Sequence, residues 1–191
     1  MEDQAFAGFV QQYMRDLSTA LENMDVEKLQ EIAEILGHAR LEGRRVFVIG
    51  NGGSALTASH LATDLGKGAS FGRRRRFRVT ALTESIGIMT ALANDVDYSD
   101  IFVEQLRNAA EAGDVLICFS GSGNSENVIR AAAHGESIGM VVVAFAGGDG
   151  GRLAQMAEHV WFAPTAHMGR IEDAHMVASH ILGYYFMELG D

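Results

Sequence analysis

The stretch at residues 46–64, VFVIGNGGSALTASHLATD, decides how the rest of the chain is read. It opens on a run that is apolar at every position, which suits a strand covered on both faces rather than one with a wet side. Gly50, Gly52 and Gly53 then mark a tight turn, and residues 54–65 follow with a helical pattern that carries His60 and Asp64. A strand, a glycine turn and a helix in that order can hold a nucleotide, cradle a sugar phosphate, or simply turn without a ligand.

The same signature recurs outward from this point. RRVFVIG (44–50), FRVTAL (77–82), DVLICFS (114–120), GMVVVAFAG (139–147) and HVWFAP (159–164) are short apolar runs, each followed by turn residues and a helical pattern. This alternation predicts an α/β fold with a parallel sheet. Helices are expected over 26–38, 54–65, 100–112, 124–133, 151–157 and 171–189. Before them, Phe6, Phe9, Val10, Tyr13, Leu17, Leu21 and Met24 recur at three- and four-residue steps, the stripe of an amphipathic helix. The only proline, Pro164, follows the last strand and interrupts no ladder.

The totals narrow the function. With 191 residues, 48% hydrophobic and 21% charged, the chain is expected to form one domain over 1–191. No apolar run reaches the roughly 20 residues that cross a bilayer. The acidic N-terminal MEDQ and the single cysteine, Cys118, are read as those of a cytoplasmic protein without a disulfide framework. A net charge of -10 argues against a general nucleic-acid surface. FGRRRRFR (71–78) is the local exception and is read as a solvated loop before a strand. Cys118 and Trp161 are expected in the core.

In open parallel sheets, ligands collect at the carboxyl ends of strands, where helix N-termini point at the site. Two strands end in candidate loops: 49–55, IGNGGSA, and 119–127, FSGSGNSEN. In the first, glycines allow close approach of backbone N–H groups, and Ser54 can cap the helix or donate to a ligand. In the second, Ser120, Ser122 and Ser125 surround Gly121 and Gly123 and match the acceptor-rich surface of a phosphate monoester. Either loop alone could be a plain turn with a cap. Neither has the G-x-G-x-x-G of a dinucleotide fold nor the Gly-Lys-Ser/Thr of a P-loop.

His60 and Asp64, four residues apart, share a helix face and could hold one metal ion or one substrate hydroxyl. RIEDAHMVASH adds Glu172, His175 and His180. On a straight helix Glu172 and His180 lie roughly 12 Å apart along the axis and about 80° apart in rotation. Periodicity does not choose between His175 and His180.

Taken together, GNGGSA…SHLATD, ALANDVDYSDIF, GDVLICFSGSGNSENVIRA, GGDGGRLAQMAEHVWFAP and RIEDAH…SHIL resemble, in the right order, the phosphoheptose isomerases, a branch of the sugar isomerase (SIS) domain proteins. The resemblance implies a three-layer sandwich with a five-stranded parallel sheet, N-terminal helices over 1–40 packing in a homotetramer, and sites shared between subunits. It implies conversion of sedoheptulose 7-phosphate to D-glycero-D-manno-heptose 7-phosphate through an enediol. It assigns substrate binding to Asn51, Gly52, Gly53, Ser54, Asn94, Asp95, Ser120, Gly121, Ser122, Ser125 and Glu172. Zinc would fall on His60, Asp64, Glu172 and His180, with Asp64 as base, Glu172 as its understudy and His180 as acid. The chain departs from the family at Asp64, where Glu is usual, at Glu172, where Gln is usual, and at Ser85, where Asp is usual. Those changes keep two alternatives in view: an isomerase of another phosphosugar, or a non-catalytic SIS module that binds a phosphosugar or bridges proteins.

Overall fold

The computed structural model describes residues 2–189, with side chains from residue 5; Met1, on which the reading of the N-terminus in part rests, lies outside them. Two helices, α1 (Glu2–Glu22) and α2 (Val26–Glu42), lead into β1 (Arg45–Ile49) and α3 (Gly53–Thr63). A π-helical turn, Asp64–Gly68, continues α3 and leads toward β2 (Arg78–Ala81). Next come α4 (Ile86–Asp95), a 3-10 turn at Tyr98–Asp100 and α5 (Val103–Ala109). The remainder alternates β3 (Val115–Ser120), α6 (Glu126–Ser137), β4 (Val141–Ala146), α7 (Gly151–Met156), β5 (His159–Phe162) and α8 (Met168–Glu188).

All four strand pairings are parallel and the spatial order is β2-β1-β3-β4-β5. The five-stranded sheet of the SIS fold is therefore present. Every residue of β3 is buried, because alternate side chains enter separate cores. Val115, Ile117 and Phe119 join Val46, Val48, Val143 and Phe145 beneath α2, α3 and α8. Leu116 and Cys118 join Phe47, Ile49, Val142 and Ala144 beneath α5, α6 and α7. Trp161 is fully buried in the first core, where its indole N–H donates to the Asp25 carbonyl at 3.2 Å. Cys118 is fully buried in the second, and its apolar surroundings push the thiol pKa up.

Two elements differ from the sequence reading. The helix expected over 100–112 is shorter, because the chain enters it through the 3-10 turn and leaves at Ala110 in extended geometry. Helix α4 is additional. None of its residues is fully buried, Ile86 and Ile88 face outward, and only Met89 and Leu92 rest, partly buried, on the second core, so it offers too short a stripe for a periodicity argument.

In the order β2-β1-β3 the chain adds β2 on one side of β1 and β3 on the other, all parallel. Both candidate loops follow neighbouring strands, β1 and β3, and so meet at the switch point where an open parallel sheet leaves a crevice.

Candidate functional site

At that crevice Asn51, Ser54, Ser120, Gly121, Ser122, Ser125 and Glu172 line a cavity of about 150 Å³ with Phe119 and Met168. Neither following helix is closed by a side chain: α3 starts from Gly52 and α6 from Ser125, with no side-chain cap bond at either. The starts of both helices and four serines therefore meet at one small polar space. A phosphoryl group, with acceptors on every side, is the chemistry such donors suit.

The first loop is shaped by Gly52, at φ 55° and ψ −122°, a conformation that L side chains avoid. Gly53 has a different reason: a Cβ there would lie 2.6 Å from Glu172 Oε1, so the carboxylate of α8 rests directly on the loop backbone. Asn51 ties the two loops together. Its amide donates to Asn127 Oδ1 at 2.8 Å, the Asn127 amide returns a bond to Asn51 Oδ1 at 2.9 Å, and the Tyr98 hydroxyl donates to the same oxygen at 3.0 Å. Asn127 and Tyr98 were given no role in the sequence reading, although both lie within the quoted motifs.

The second cluster lies further along α8. His60 Nε2 and His180 Nε2 are 2.8 Å apart, and His60 Nε2 is 3.4 Å from Asp64 Oδ2. His60, Asp64 and His180 thus bring two imidazole nitrogens and a carboxylate oxygen within 4.8 Å of one another. Gly183 makes the convergence possible, since a Cβ on it would sit 2.9 Å from Asp64 Cβ and hold α8 away from α3. Asp64 Oδ2 is buried and accepts no hydrogen bond. An orphaned carboxylate oxygen beside two imidazoles is a donor set that can hold a metal ion, and zinc is among those it fits.

Glu172 stands outside this group of three: two turns N-terminal to His180 on α8, its carboxylate faces Gly53 and the serine cavity. His175 is excluded by orientation. It is fully buried in the core, where its Nε2–H donates to the Ala146 carbonyl at 3.3 Å among Phe119, Phe145 and Trp161. Burial lowers its pKa to about 4, opposed by that backbone bond. Asn94 and Asp95 end α4 on the exposed surface, where the Asn94 amide donates to Asp95 Oδ1 at 2.7 Å. Within one chain they do not line the serine cavity. Ser85 precedes α4 and makes no side-chain cap.

Comparison with known proteins agrees with this geometry. The sequence profile of the SIS domain matches residues 10–147. The phosphoheptose isomerase of Aquifex aeolicus is 35% identical over 167 residues, covering 87% of each chain. That of Mycobacterium tuberculosis is 41% identical over 140 residues, 73% of this chain and 71% of the relative. Among solved structures, the phosphoheptose isomerase GmhA of Neisseria gonorrhoeae superposes with a TM-score of 0.87 at 28% identity, covering 97% of this chain and 98% of that one. The phosphoheptose isomerase of Francisella tularensis, at 23% identity and a TM-score of 0.89, shares the fold. With its profile match, its relatives and its two-loop cradle at the β1/β3 crevice, the chain belongs to the phosphoheptose isomerases of the SIS-domain family.

Proposed function

We propose that the chain converts sedoheptulose 7-phosphate to D-glycero-D-manno-heptose 7-phosphate. One observation carries this reading: a phosphate-sized cavity lined by serines and an acid–histidine cluster lie along the same helix, at Glu172 and at His180. Anchoring the phosphate in the first places the sugar's carbonyl end toward the second, and remote binding energy then serves orientation at the reacting carbons.

Isomerisation removes a proton next to a carbonyl and returns it to the neighbouring carbon. Asp64 is assigned the role of the base that takes that proton. Glu172 offers a second carboxylate on the cradle side. His180 is assigned the role of the acid that returns the proton. His60, Asp64 and His180 would hold a zinc ion, which when bound would polarise the carbonyl. Glu172 is retained as a fourth ligand by resemblance alone.

The exposed α4 with Asn94 and Asp95, and the outward face of α1 with Phe6, Phe9, Val10 and Met14, support assembly into a homotetramer whose neighbouring subunits complete the site. Packing of residues 1–40 in that assembly is part of the same reading, as is location in the cytoplasm. Among the described residues no helix is long and apolar enough to cross a membrane.

The test is turnover by the full chain supplied with zinc. Sedoheptulose 7-phosphate should be converted, and Asp64→Asn and His180→Gln should each lower kcat by about 10²- to 10⁴-fold without changing the far-UV spectrum, the usual range for loss of an acid or base. No conversion by the wild type, or undiminished conversion by Asp64→Asn, overturns the assignment. A panel of pentose, hexose and heptose phosphates separates it from an isomerase of another sugar.

A further inference from the structure

Two asparagines from neighbouring loops pair amide to amide, and one of them reaches the cavity. Asn51, in the first loop, lines the space between the serines; Asn127, in the first turn of α6, is buried and is not among the lining residues. The orientation of the pair is dictated from one end. The Val128 N–H can only donate, and it reaches Asn127 Oδ1 at 2.9 Å, so an oxygen must stand at that position. Asn127 Nδ2 is then left facing Asn51, where it donates to Oδ1 at 2.9 Å, while Asn51 Nδ2 donates back to Asn127 Oδ1 at 2.8 Å. Turning either amide over would set oxygen against oxygen and nitrogen against nitrogen.

The Tyr98 hydroxyl completes the arrangement from the 3-10 turn after α4. It donates to Asn51 Oδ1 at 3.0 Å and so takes the second lone pair of a carbonyl that Asn127 already engages. Asn51 has no acceptor left to offer. Of its two Nδ2 hydrogens one is committed to Asn127, and the other is the only polar group its side chain can present to a ligand. For an anion this choice of end decides the sign of the contact: phosphoryl oxygens attract an N–H and repel a carbonyl.

We propose, on the reading of the serine cavity as a phosphosugar site, that Asn127 is a positioning residue: it acts through Asn51, whose amide it locks as a donor to an oxygen of the bound phosphosugar. Asn127 itself touches no ligand. Without it the Asn51 amide is free to turn over and bring its carbonyl oxygen to the anion.

Calorimetry of sedoheptulose 7-phosphate binding to the full chain tests this through a double-mutant cycle. Asn127→Ala should weaken binding by about tenfold or more, the range for loss of a hydrogen bond to a charged group. Asn51→Ala should weaken it by a similar factor. Adding Asn127→Ala to Asn51→Ala should then cost less than about twofold further, because the amide through which Asn127 acts is gone. A merely structural role would lower affinity equally in both backgrounds. Tyr98→Phe is the second probe, since removing one hydroxyl from an exposed ring keeps the fold even where the buried substitution does not. It should weaken binding by about two- to tenfold, as for one net hydrogen bond, and do nothing beside Asn51→Ala. The role is overturned if folded Asn127→Ala keeps wild-type affinity, if Tyr98→Phe keeps it where Asn127→Ala does not fold, or if either loss persists undiminished in the Asn51→Ala background. Binding is read without turnover, so failure of the isomerase assay alone would not move this result, whereas a wild type that does not bind sedoheptulose 7-phosphate would overturn both.

Discussion

The two glycine-rich loops look alike in sequence and do different work in the structure. The first keeps its glycine at position 53 because a side-chain carboxylate, Glu172, rests on it. The second keeps Gly123 because backbone rests on backbone: at φ 63°, its Cβ would fall 1.8 Å from the Gly150 carbonyl oxygen. A carboxylate at the end of a flexible side chain can swing away, whereas a carbonyl in a turn that also begins a helix cannot. Gly53 is therefore coupled to a side chain of the site and Gly123 to folding.

The largest effect should come from Gly123. Its carbonyl accepts from Leu153 N–H at 2.9 Å, and its N–H reaches both the carbonyl and the hydroxyl of Ser120, so the turn fixes the serine loop against α7. Gly123→Ala adds a backbone collision and an unfavourable positive φ, and should destabilise the protein by about 4 kcal/mol or more. Thermal unfolding would show a fall of roughly 10 °C at this chain length. A change within a degree or two would mean that the turn rearranges and that the two loops do not differ as argued.

The next effect sits beneath the second loop. His175 is neutral and buried, with a folded pKa of about 4 against 6.5 when unfolded. Between those values the unfolded chain binds a proton that the folded chain refuses. Stability from this group is thus whole above about pH 6.5 and is lost as pH falls through the window toward 4, amounting to about 3 kcal/mol. Denaturant midpoints between pH 7.5 and 4 should fall more steeply for wild type than for His175→Phe. Equal slopes would show that carboxylates alone govern acid unfolding.

How much of this was legible beforehand follows from the same contrast between backbone-driven and partner-driven features. The strands could be read because β3 and β4 are apolar on both faces, and their neighbours follow at βα spacing. The crevice followed from those strands. Helix α4 could not be read, since Ile86 and Ile88 face away from the sheet and only Met89 and Leu92, both partly buried, pack against the second core. On α8, residues advance by about 100° each, so His175 and His180 lie on opposite sides of Glu172, about 140° apart. Which of them turns toward His60 depends on how α8 packs, which spacing does not encode. Likewise the group of His60, Asp64 and His180 without Glu172 is set by the contact of Gly183 with Asp64, a pairing 119 positions apart in the chain.

The smallest effect is also the sharpest for the first loop. Gly53→Ala places a methyl group where Glu172 Oε1 now lies, 2.6 Å from the new Cβ. Because Gly53 is the first residue of α3, alanine should improve helix propensity by up to about 1 kcal/mol, offsetting most of the local crowding. The fold should therefore hold, with a melting temperature close to wild type. Glu172 cannot stay on the loop, however, and its carboxylate must move within the serine cavity that it helps to line. If that carboxylate assists binding or proton transfer, kcat/KM should fall by about tenfold, roughly 1.4 kcal/mol of transition-state stabilisation. Glu172→Gln provides the reference: it keeps the shape and removes the charge. Should Gly53→Ala lose stability instead of activity, its glycine would be doing the same work as Gly123, and the distinction between the two loops would fail.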